Sequence, residues 1–573
     1  AFRSVIATLR NDQRGANIFR VGALSTWNKN PVVDYLIGRK LSQKYRFTEG
    51  ASHQKQALDF AAGYGPARVQ LTQDLLRLGR EDEGWKLGEE AHKADAYDVH
   101  LFNLMQLHDA ISKYRTLESP EFLIRMEARE AEIYGAEVQD LLQRARKTLC
   151  EKYGLELKDR ITVEIYPEPN DFAVRTFGMP GVSGYLGVCF GKVITANSPA
   201  SQKDHPTNWQ AVLWHEFCHV VTLELTRNRM PRWLSEGISV YEERQANPTW
   251  GQRMTPTNRT RILSGRLTPI GELSGAFLHP ETPSDLNFAY YQSSLVVEHI
   301  IERYGIDKVK LVLKDLATGL PLDAALERHL AALPQIDEEF REYASQLAQD
   351  LAPDLDWEKY DLSAIRDDDD PERLQRWVAD HPTSIQGLSL LALQFIERRE
   401  FAKAKPLLKK LIELYPEQTG AGSPYEQLAA VHRELKETDD ERKILQEYTG
   451  RSDSAVAALL RLIELQTEAA DWTALRETSQ RLVAINPLLE QTQKARATAA
   501  EHLNDRDTAM LALQALLQME PDDPAEIHYR LAVLLNSTND PRAKEHVLQA
   551  LETAPRYRDA QKLLLKIVRE NKK

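Results

Sequence analysis

The sequence predicts a mainly α protein in which a small α+β region is followed by a C-terminal α-solenoid of helical hairpins. Apolar residues recur at helical spacing before residue 153, and a short segment at 161–166 alternates with period two. Prolines 34 residues apart mark a repeat near the C-terminus. At 573 residues the chain exceeds what one core sustains, so several domains are expected.

The first part of the chain is predicted to be helical after a short irregular segment. Residues 1–50 mix Arg, Asn and Gly with little periodicity and predict an N-terminal arm. Within residues 51–155, Leu71 and Leu75 recur at helical spacing and a second apolar helix follows them, as in a helical hairpin. A longer helix is predicted over 122–150.

A change of pattern at about residue 157 predicts the small sheet. Residues 161–166 alternate with period two and end at Pro167, as a strand does. Residues 184–190 and 192–195 are predicted to form two further strands. The pattern is compatible with a place at the edge of the sheet or in its interior.

The motif with the most specific chemistry comes next. His215, Glu216 and His219 form an H-E-x-x-H pattern. Positions i and i+4 of a helix share a face and rise about 6 Å, so both imidazoles can reach one zinc ion at roughly 2.1 Å. Glu216 lies beside them, where a carboxylate can act on water. Thr207 and Gln210 predict the start of this helix through a capping box.

A second acidic position supports a metal site. Glu236 follows His219 by seventeen residues, near the start of a helix predicted after Pro231. The alternative is that Glu236 is a solvated first-turn carboxylate interacting with the helix dipole. The H-E-x-x-H helix upstream favours a ligand.

With H-E-x-x-H followed by W-L-S-E-G, residues 156–350 resemble the gluzincin metallopeptidases, and more narrowly the peptidase MA-like domains often joined to tetratricopeptide repeats. The resemblance implies that His215, His219 and Glu236 are ligands of one Zn²⁺ ion per chain. It implies that Glu216 is the general base.

The resemblance also implies a tyrosine on a later helix that stabilises the oxyanion. Tyr290 and Tyr291 are adjacent candidates, and the Y-x-Q spacing of the family favours Tyr290. Two departures limit the likeness. The G-x-M-E-N segment of many gluzincin aminopeptidases is absent, so the choice between endopeptidase and aminopeptidase stays open. Val240 stands where some relatives have an Asp that holds a zinc-bound His, so Glu242, Glu243 or a more distant group must do this.

The C-terminal part of the chain carries a 34-residue repeat. Pro382 and Pro416 are 34 residues apart, as are the successive prolines 487, 521 and 555. Ala404, Ala509 and Ala543 each stand 12 residues before a closing proline, where small residues let paired helices approach closely. Because 34 residues is the tetratricopeptide period, about five hairpins stacked into a superhelix are predicted.

The predicted organisation therefore has five parts: an N-terminal arm (1–50), a helical, degenerate tetratricopeptide-like region (51–155), a gluzincin-like metallopeptidase domain (156–352), a linker (353–380) and a tetratricopeptide repeat domain (381–573). The linker holds Asp367–Asp370, which lacks the Gly and terminal Glu of a calcium loop and is expected to be solvated.

Composition excludes several classes of function. The net charge is −12 without a basic stripe, which argues against nucleic acid as a partner. Three cysteines without C-x-x-C spacing indicate neither a disulfide framework nor a Cys-type zinc site. No apolar run approaches the roughly 18 residues of a membrane span. The compartment stays open, because an exported protein whose signal has been removed fits the sequence equally well.

The predicted function is zinc-dependent hydrolysis of peptide bonds by metal-activated water, with a peptide or protein as substrate. The repeats are expected to recruit that substrate or a protein partner. The alternative is a repeat-based interaction scaffold whose peptidase-like domain has weak or different hydrolytic activity.

Overall fold

A computed structural model describes residues 1–202, 207–366 and 371–570 of the chain. The described residues form two compact units. The first contains residues 1–131, 135–202 and 210–346, and the second contains residues 132–134, 207–209, 347–366 and 371–570. The predicted linker residues Asp367–Asp370 lie outside the described residues.

The first unit begins with paired helices. Their bounds are α1 (Phe2–Leu9), α2 (Gln13–Ala23), α3 (Pro31–Ser42), α4 (Phe47–Phe60), α5 (Gly65–Arg77), α6 (Glu81–Ala94) and α7 (Val99–Ile111). The arm predicted for residues 1–50 is therefore wrong, because this segment is helical. Val5 packs with Ile37 and Leu41 in a buried cluster, and Asp12 and Asn30 cap the short helices. Helices this short give too few turns for a clear periodic pattern.

One mixed sheet of five strands follows. Its strands are β1 (Arg115–Glu118), β2 (Phe122–Met126), β3 (Ile161–Tyr166), β4 (Gly187–Cys189) and β5 (Val193–Asn197), in the order β1-β2-β3-β5-β4. The inner pairs β2–β3 and β3–β5 are parallel, and the outer pairs are antiparallel. The strand predicted at 161–166 is present, and β4 lies at the edge of the sheet, which resolves the alternative left by the sequence.

The helix predicted over 122–150 is wrong in its first residues. Phe122, Ile124 and Met126 are buried and alternate with less buried neighbours, so this segment forms β2 beside β3. Helix α8 (Ala128–Tyr153) begins only two residues later. In the sequence, a short apolar run that lies so close to a helix cannot be distinguished from the first turn of that helix. Strands β1 and β2 precede residue 156, where the sequence placed the start of the peptidase-like domain.

Ten further α-helices belong to the first unit, except for residues 132–134 of α8, Trp209 of α10 and the last four residues of α17, which belong to the second unit. They are α8, α9 (Pro169–Phe177), α10 (Trp209–Thr226), α11 (Arg232–Ala246), α12 (Pro256–Leu263), α13 (Leu273–Ala276), α14 (Pro283–Tyr304), α15 (Ile306–Thr318), α16 (Leu322–His329) and α17 (Leu333–Asp350). Helix α10 begins at Trp209, two residues beyond the cap predicted at Thr207. A Cβ on Gly237 would lie 2.5 Å from the Ser293 carbonyl oxygen, so only glycine allows α11 to approach α14 this closely.

The second unit consists of helices. They are α18 (Ser363–Arg366), α19 (Pro371–Asp380), α20 (Ile385–Glu397), α21 (Phe401–Leu414), α22 (Pro424–Glu434), α23 (Thr438–Arg451), α24 (Val456–Glu468), α25 (Trp472–Val483), α26 (Glu490–His502), α27 (Arg506–Gln518), α28 (Pro524–Asn536), α29 (Arg542–Thr553) and α30 (Arg558–Glu570).

Helices α20 to α29 pair in succession as helical hairpins, which confirms the predicted α-solenoid. The repeated alanines Ala404, Ala509 and Ala543 are buried between helices, as their spacing predicted. Within the described parts of the chain, no helix combines the length and the apolar character needed to cross a membrane.

Candidate metal centre

Helix α10 holds His215 and His219 one turn apart on the same face. Their ring centroids are 4.7 Å apart and the ring planes stand at 82°. Phe217 and Val221, also on this helix, are fully buried, so α10 is anchored in the core while the two imidazoles point to a common position. The helical spacing inferred from the sequence is therefore the spacing found.

Helix α11 brings Glu236 to the two imidazoles. Its Oε2 atom lies 3.3 Å from His215 Nε2 and 3.3 Å from His219 Nε2. In a tetrahedral zinc site with metal–ligand distances of about 2.1 Å, neighbouring ligand atoms are roughly 3.4 Å apart. The three donor atoms are thus already at the separation that one zinc ion requires, and two imidazoles with one carboxylate are a zinc donor set.

Hydrogen bonds on the far side of each imidazole fix its orientation. His215 Nδ1 lies 2.5 Å from Glu243 Oε1. His219 Nδ1 lies 2.9 Å from Ser235 Oγ and 3.2 Å from Ser239 Oγ. With each Nδ1 engaged, Nε2 is the nitrogen that faces Glu236 and a metal ion.

The charges of this cluster are strongly coupled. Burial by itself lowers the pKa of His215, but the carboxylates of Glu243 and Glu236 outweigh it and raise that pKa well above its usual value. Burial raises the pKa of Glu236, yet the two imidazoles prevail and hold it well below its usual range. A site that favours positive charge on its nitrogens is electrostatically suited to a cation.

Glu216 lies beside the three donor atoms without joining them. It is 6 % exposed, and its Oε2 atom has no hydrogen-bond partner among the described residues. Burial raises the pKa of this carboxyl group, while His219 and His215 partly offset the effect. A buried carboxylate with an unpaired oxygen is suited to accept a proton from water.

The edge strand β4 runs directly against Glu216. A Cβ on Gly187 would lie 2.7 Å from Glu216 Cγ and 2.8 Å from its Oε1 atom. Glycine at this position therefore leaves the space that the Glu216 side chain occupies. Strand β4 therefore passes beside the metal centre, because Glu216 directly follows the candidate ligand His215.

The two candidate tyrosines have different surroundings. Tyr290 lies near the Arg232 guanidinium and packs edge-on against Phe277, with ring centroids 5.0 Å apart. Burial and the charge of Glu236 raise the pKa of its hydroxyl well above the usual value. Tyr291 is 3 % exposed and packs in the interior. The structure thus brings Tyr290, and not Tyr291, toward Glu236.

Several residues of this centre had no assignment from sequence. Glu243, one of the groups left open, lies two turns after Glu236 on α11 and holds His215, whereas Glu242 pairs with Lys152 and Tyr153. The sequence had named both acids as candidates, and only packing distinguishes them. No sequence pattern indicated a role for Gly187, because this role depends on its contact with Glu216 in a distant segment.

A second His–carboxylate group among the described residues is His432, Glu437 and Asp440 on the hairpin α22–α23. The Lys405 ammonium lies 2.8 and 2.9 Å from the two carboxylate oxygens of Glu437. This group is already neutralised by an ion pair.

The fold consists of an α+β domain that carries this site, joined to helical repeats, and a family model matches each of these two parts. Residues 142–333 match the Peptidase MA superfamily, and residues 386–417 match the tetratricopeptide repeat. The chain therefore contains a domain of the Peptidase MA superfamily followed by tetratricopeptide repeats, which confirms the resemblance inferred from the sequence.

Solved structures align only loosely. YrrB, a TPR protein with an unusual peptide-binding site, is 14% identical over 34% of this chain and 97% of its own, with a TM-score of 0.26. Yeast Tom70 is 12% identical over 95% of this chain and 97% of its own, with a TM-score of 0.21. Native yeast LTA4 hydrolase is 13% identical over 76% of this chain and 66% of its own, with a TM-score of 0.24. No curated protein matches the chain.

Proposed function

We propose that this protein is a zinc-dependent peptidase. The observation that carries the proposal is the convergence of His215 Nε2, His219 Nε2 and Glu236 Oε2 at the spacing of zinc ligands, beside a buried carboxylate that is not itself a ligand. Structural zinc sites use four protein ligands, whereas three ligands leave a position for water or substrate.

The residues divide the chemistry among them. A zinc ion held by His215, His219 and Glu236 would polarise a peptide carbonyl group and lower the pKa of water. Glu216 accepts a proton from the attacking water and delivers it to the leaving amine. The contact of the Glu216 side chain with Gly187 in β4 holds its carboxylate beside the candidate metal ligands.

Tyr290 supports the same step from α14. Its hydroxyl lies near the guanidinium of Arg232, which can only donate hydrogen bonds, so the phenolic proton is available for the oxygen of the tetrahedral intermediate. Because its pKa is raised, the phenol stays protonated at neutral pH.

The edge strand β4 supplies a surface for the peptide backbone. Strand β5 pairs with one side of β4, and the other side is free to pair with an extended peptide. A peptide bound in this way passes next to Glu216, because Gly187 touches that side chain. This geometry favours an extended peptide chain as substrate.

The helical hairpins are proposed to recruit the protein substrate or a partner. A stack of hairpins exposes an extended surface that catalysis itself does not need. The second candidate function is a repeat scaffold whose peptidase-like domain has weak or different hydrolytic activity. The complete donor set and the intact Glu216 favour the peptidase.

Replacement of Glu216 by Gln separates these functions. We expect wild-type protein to carry one zinc ion and to cleave casein, while Glu216→Gln keeps the zinc and loses activity by several orders of magnitude. Glu224→Gln, an exposed carboxylate on the same helix, is the matched control and should keep full activity. Zinc-loaded wild-type protein that cleaves neither casein nor a peptide library would favour the scaffold, and an active Glu216→Gln variant would refute the mechanism.

A further inference from the structure

Tyr45, in the turn between α3 and α4, reaches the metal centre from outside the segment that matches the Peptidase MA superfamily. Its backbone has a φ of 60°, the left-handed conformation that also ends the first helix of several later hairpins. In those hairpins the position holds Arg399, Lys436, Ala470 or Asn504. Among the described residues with positive φ, Tyr45 alone is aromatic, so the turn explains its backbone but not its side chain.

The turn is fastened to the loop that joins the two ligand-bearing helices. Asn228, between α10 and α11, donates a hydrogen bond from Nδ2 to the Tyr45 carbonyl oxygen at 3.0 Å. The backbone of Tyr45 therefore holds a fixed place relative to the helices that carry His219 and Glu236.

Aromatic packing fixes the ring of Tyr45. Its centroid lies 5.2 Å from that of Phe47 and 6.2 Å from that of Phe190, with which it is stacked. Arg77 lies over Phe47 and Phe190, at 5.7 and 5.3 Å from their centroids. Phe190 directly follows β4, so the Tyr45 ring packs at the end of the strand that passes Glu216.

The hydroxyl of Tyr45 lies near charged groups of the centre. The carboxylates of Glu236 and Glu216 and the guanidinium of Arg232 all lie within electrostatic reach of it. It makes no hydrogen bond to a described residue, and Tyr45 is 36 % exposed. Although part of the residue is exposed to solvent, desolvation raises the pKa of the hydroxyl and the neighbouring Cys189, Glu236 and Glu216 raise it further, and like any tyrosine the phenol is protonated at neutral pH.

We propose that Tyr45 is a substrate-binding residue of this site and donates a hydrogen bond from its hydroxyl to a carbonyl oxygen of the bound peptide. The inference rests on the proposed peptidase function. Its consequence is that the cleft is completed by the N-terminal helices. Tyr290 serves the carbonyl group that reacts, whereas Tyr45 binds the peptide.

Tyr45→Phe is the direct test, because it keeps the ring and removes only the hydroxyl. A hydrogen bond to a neutral group corresponds to roughly a tenfold change in affinity. We expect Tyr45→Phe to keep one zinc per chain and to lower kcat/KM about tenfold, mainly through KM. In a Glu216→Gln background, which binds without cleaving, the same change should raise the Kd of an internally quenched peptide by a similar factor.

Two further variants sharpen the test. Tyr35→Phe removes a hydroxyl from the neighbouring helix α3 and should change neither kcat/KM nor the Kd of the peptide. In Asn228→Asp the aspartate can adopt the positive φ of 57°, but its carboxylate cannot donate a hydrogen bond to the Tyr45 carbonyl oxygen. Like Tyr45→Phe, this variant should raise the Kd of the peptide. Equal Kd and kcat/KM for Tyr45→Phe and wild type would overturn the proposal.

Failure of the proposed function would have a different signature. If zinc-loaded wild-type protein cleaves no peptide, a tripeptide hydroxamate replaces the substrate as the binding probe. Weaker hydroxamate binding by Tyr45→Phe would then support the role of Tyr45 without peptidase activity, and unchanged binding would refute it.

Discussion

Glu243 decides how His215 presents its nitrogen to the metal ion. Its 2.5 Å contact with His215 Nδ1 is the strongest orienting bond of the centre. We expect Glu243→Gln to weaken zinc affinity about 10- to 100-fold, because loss of such a partner frees the imidazole. Competition with a chromogenic chelator measures this. Glu242→Gln is the control: it breaks the buried pair with Lys152 and should lower Tm while leaving zinc affinity unchanged.

Asp74 is a second residue whose surroundings predict a measurable effect. Burial raises the pKa of Asp74 to about 7, although Arg77 and hydrogen bonds from Ser42 and Gln70 lower it. The folded protein therefore holds this proton more tightly than the unfolded chain, and stability falls as pH rises from about 4 to about 7.

Asp74→Asn should remove that pH dependence. At pH 4 the variant and wild type should have similar free energies of unfolding, and at pH 8 the variant should be more stable by an amount on the order of 2–4 kcal/mol. Urea titrations at several pH values measure the difference. Asp59→Asn, at an exposed position of α4, should show no such trend. A difference that is the same at pH 4 and pH 8 would contradict the raised pKa.

At the scale of elements, the approach of β4 to α10 couples the sheet to the proposed base. Gly187→Ala would place a methyl group 2.7 Å from Glu216 Cγ, so the side chain must move. We expect the variant to keep its zinc and to lose about 10²-fold in kcat, since a displacement of about 1 Å at a catalytic group has that effect. Gly63→Ala, where no atom lies within 4 Å, is the control. Normal kcat in Gly187→Ala would contradict the proposed coupling between β4 and the position of Glu216.

The same elements show what the sequence could and could not predict. The two helices that carry His215, His219 and Glu236 could be predicted from the spacing of these residues along the chain. Helical geometry brings together residues that are near in sequence. The contact of Gly187 with Glu216 and the place of Tyr45 depend on packing between distant segments. No local pattern encodes such contacts, and β2 was mistaken for helix because it adjoins α8.

For the whole molecule, sequence periodicity predicted the fold reliably only where it extended over many residues. The 34-residue spacing predicted the hairpins of the second unit, because a buried alanine recurs at the same position in three of the repeats, at Ala404, Ala509 and Ala543. Residues 1–50 contain helices too short to show a period, and the arm predicted for them was wrong.

The central claim is that a zinc ion at His215, His219 and Glu236 is required for hydrolysis of peptide bonds. The most direct test measures zinc content and casein cleavage in the same samples of wild-type protein, before chelation, after chelation and after zinc is restored. We expect one zinc per chain, loss of cleavage with loss of zinc and recovery with its return, and His219→Ala should carry well below one zinc throughout. Cleavage that persists in zinc-free protein, or full zinc occupancy in His219→Ala, would contradict it.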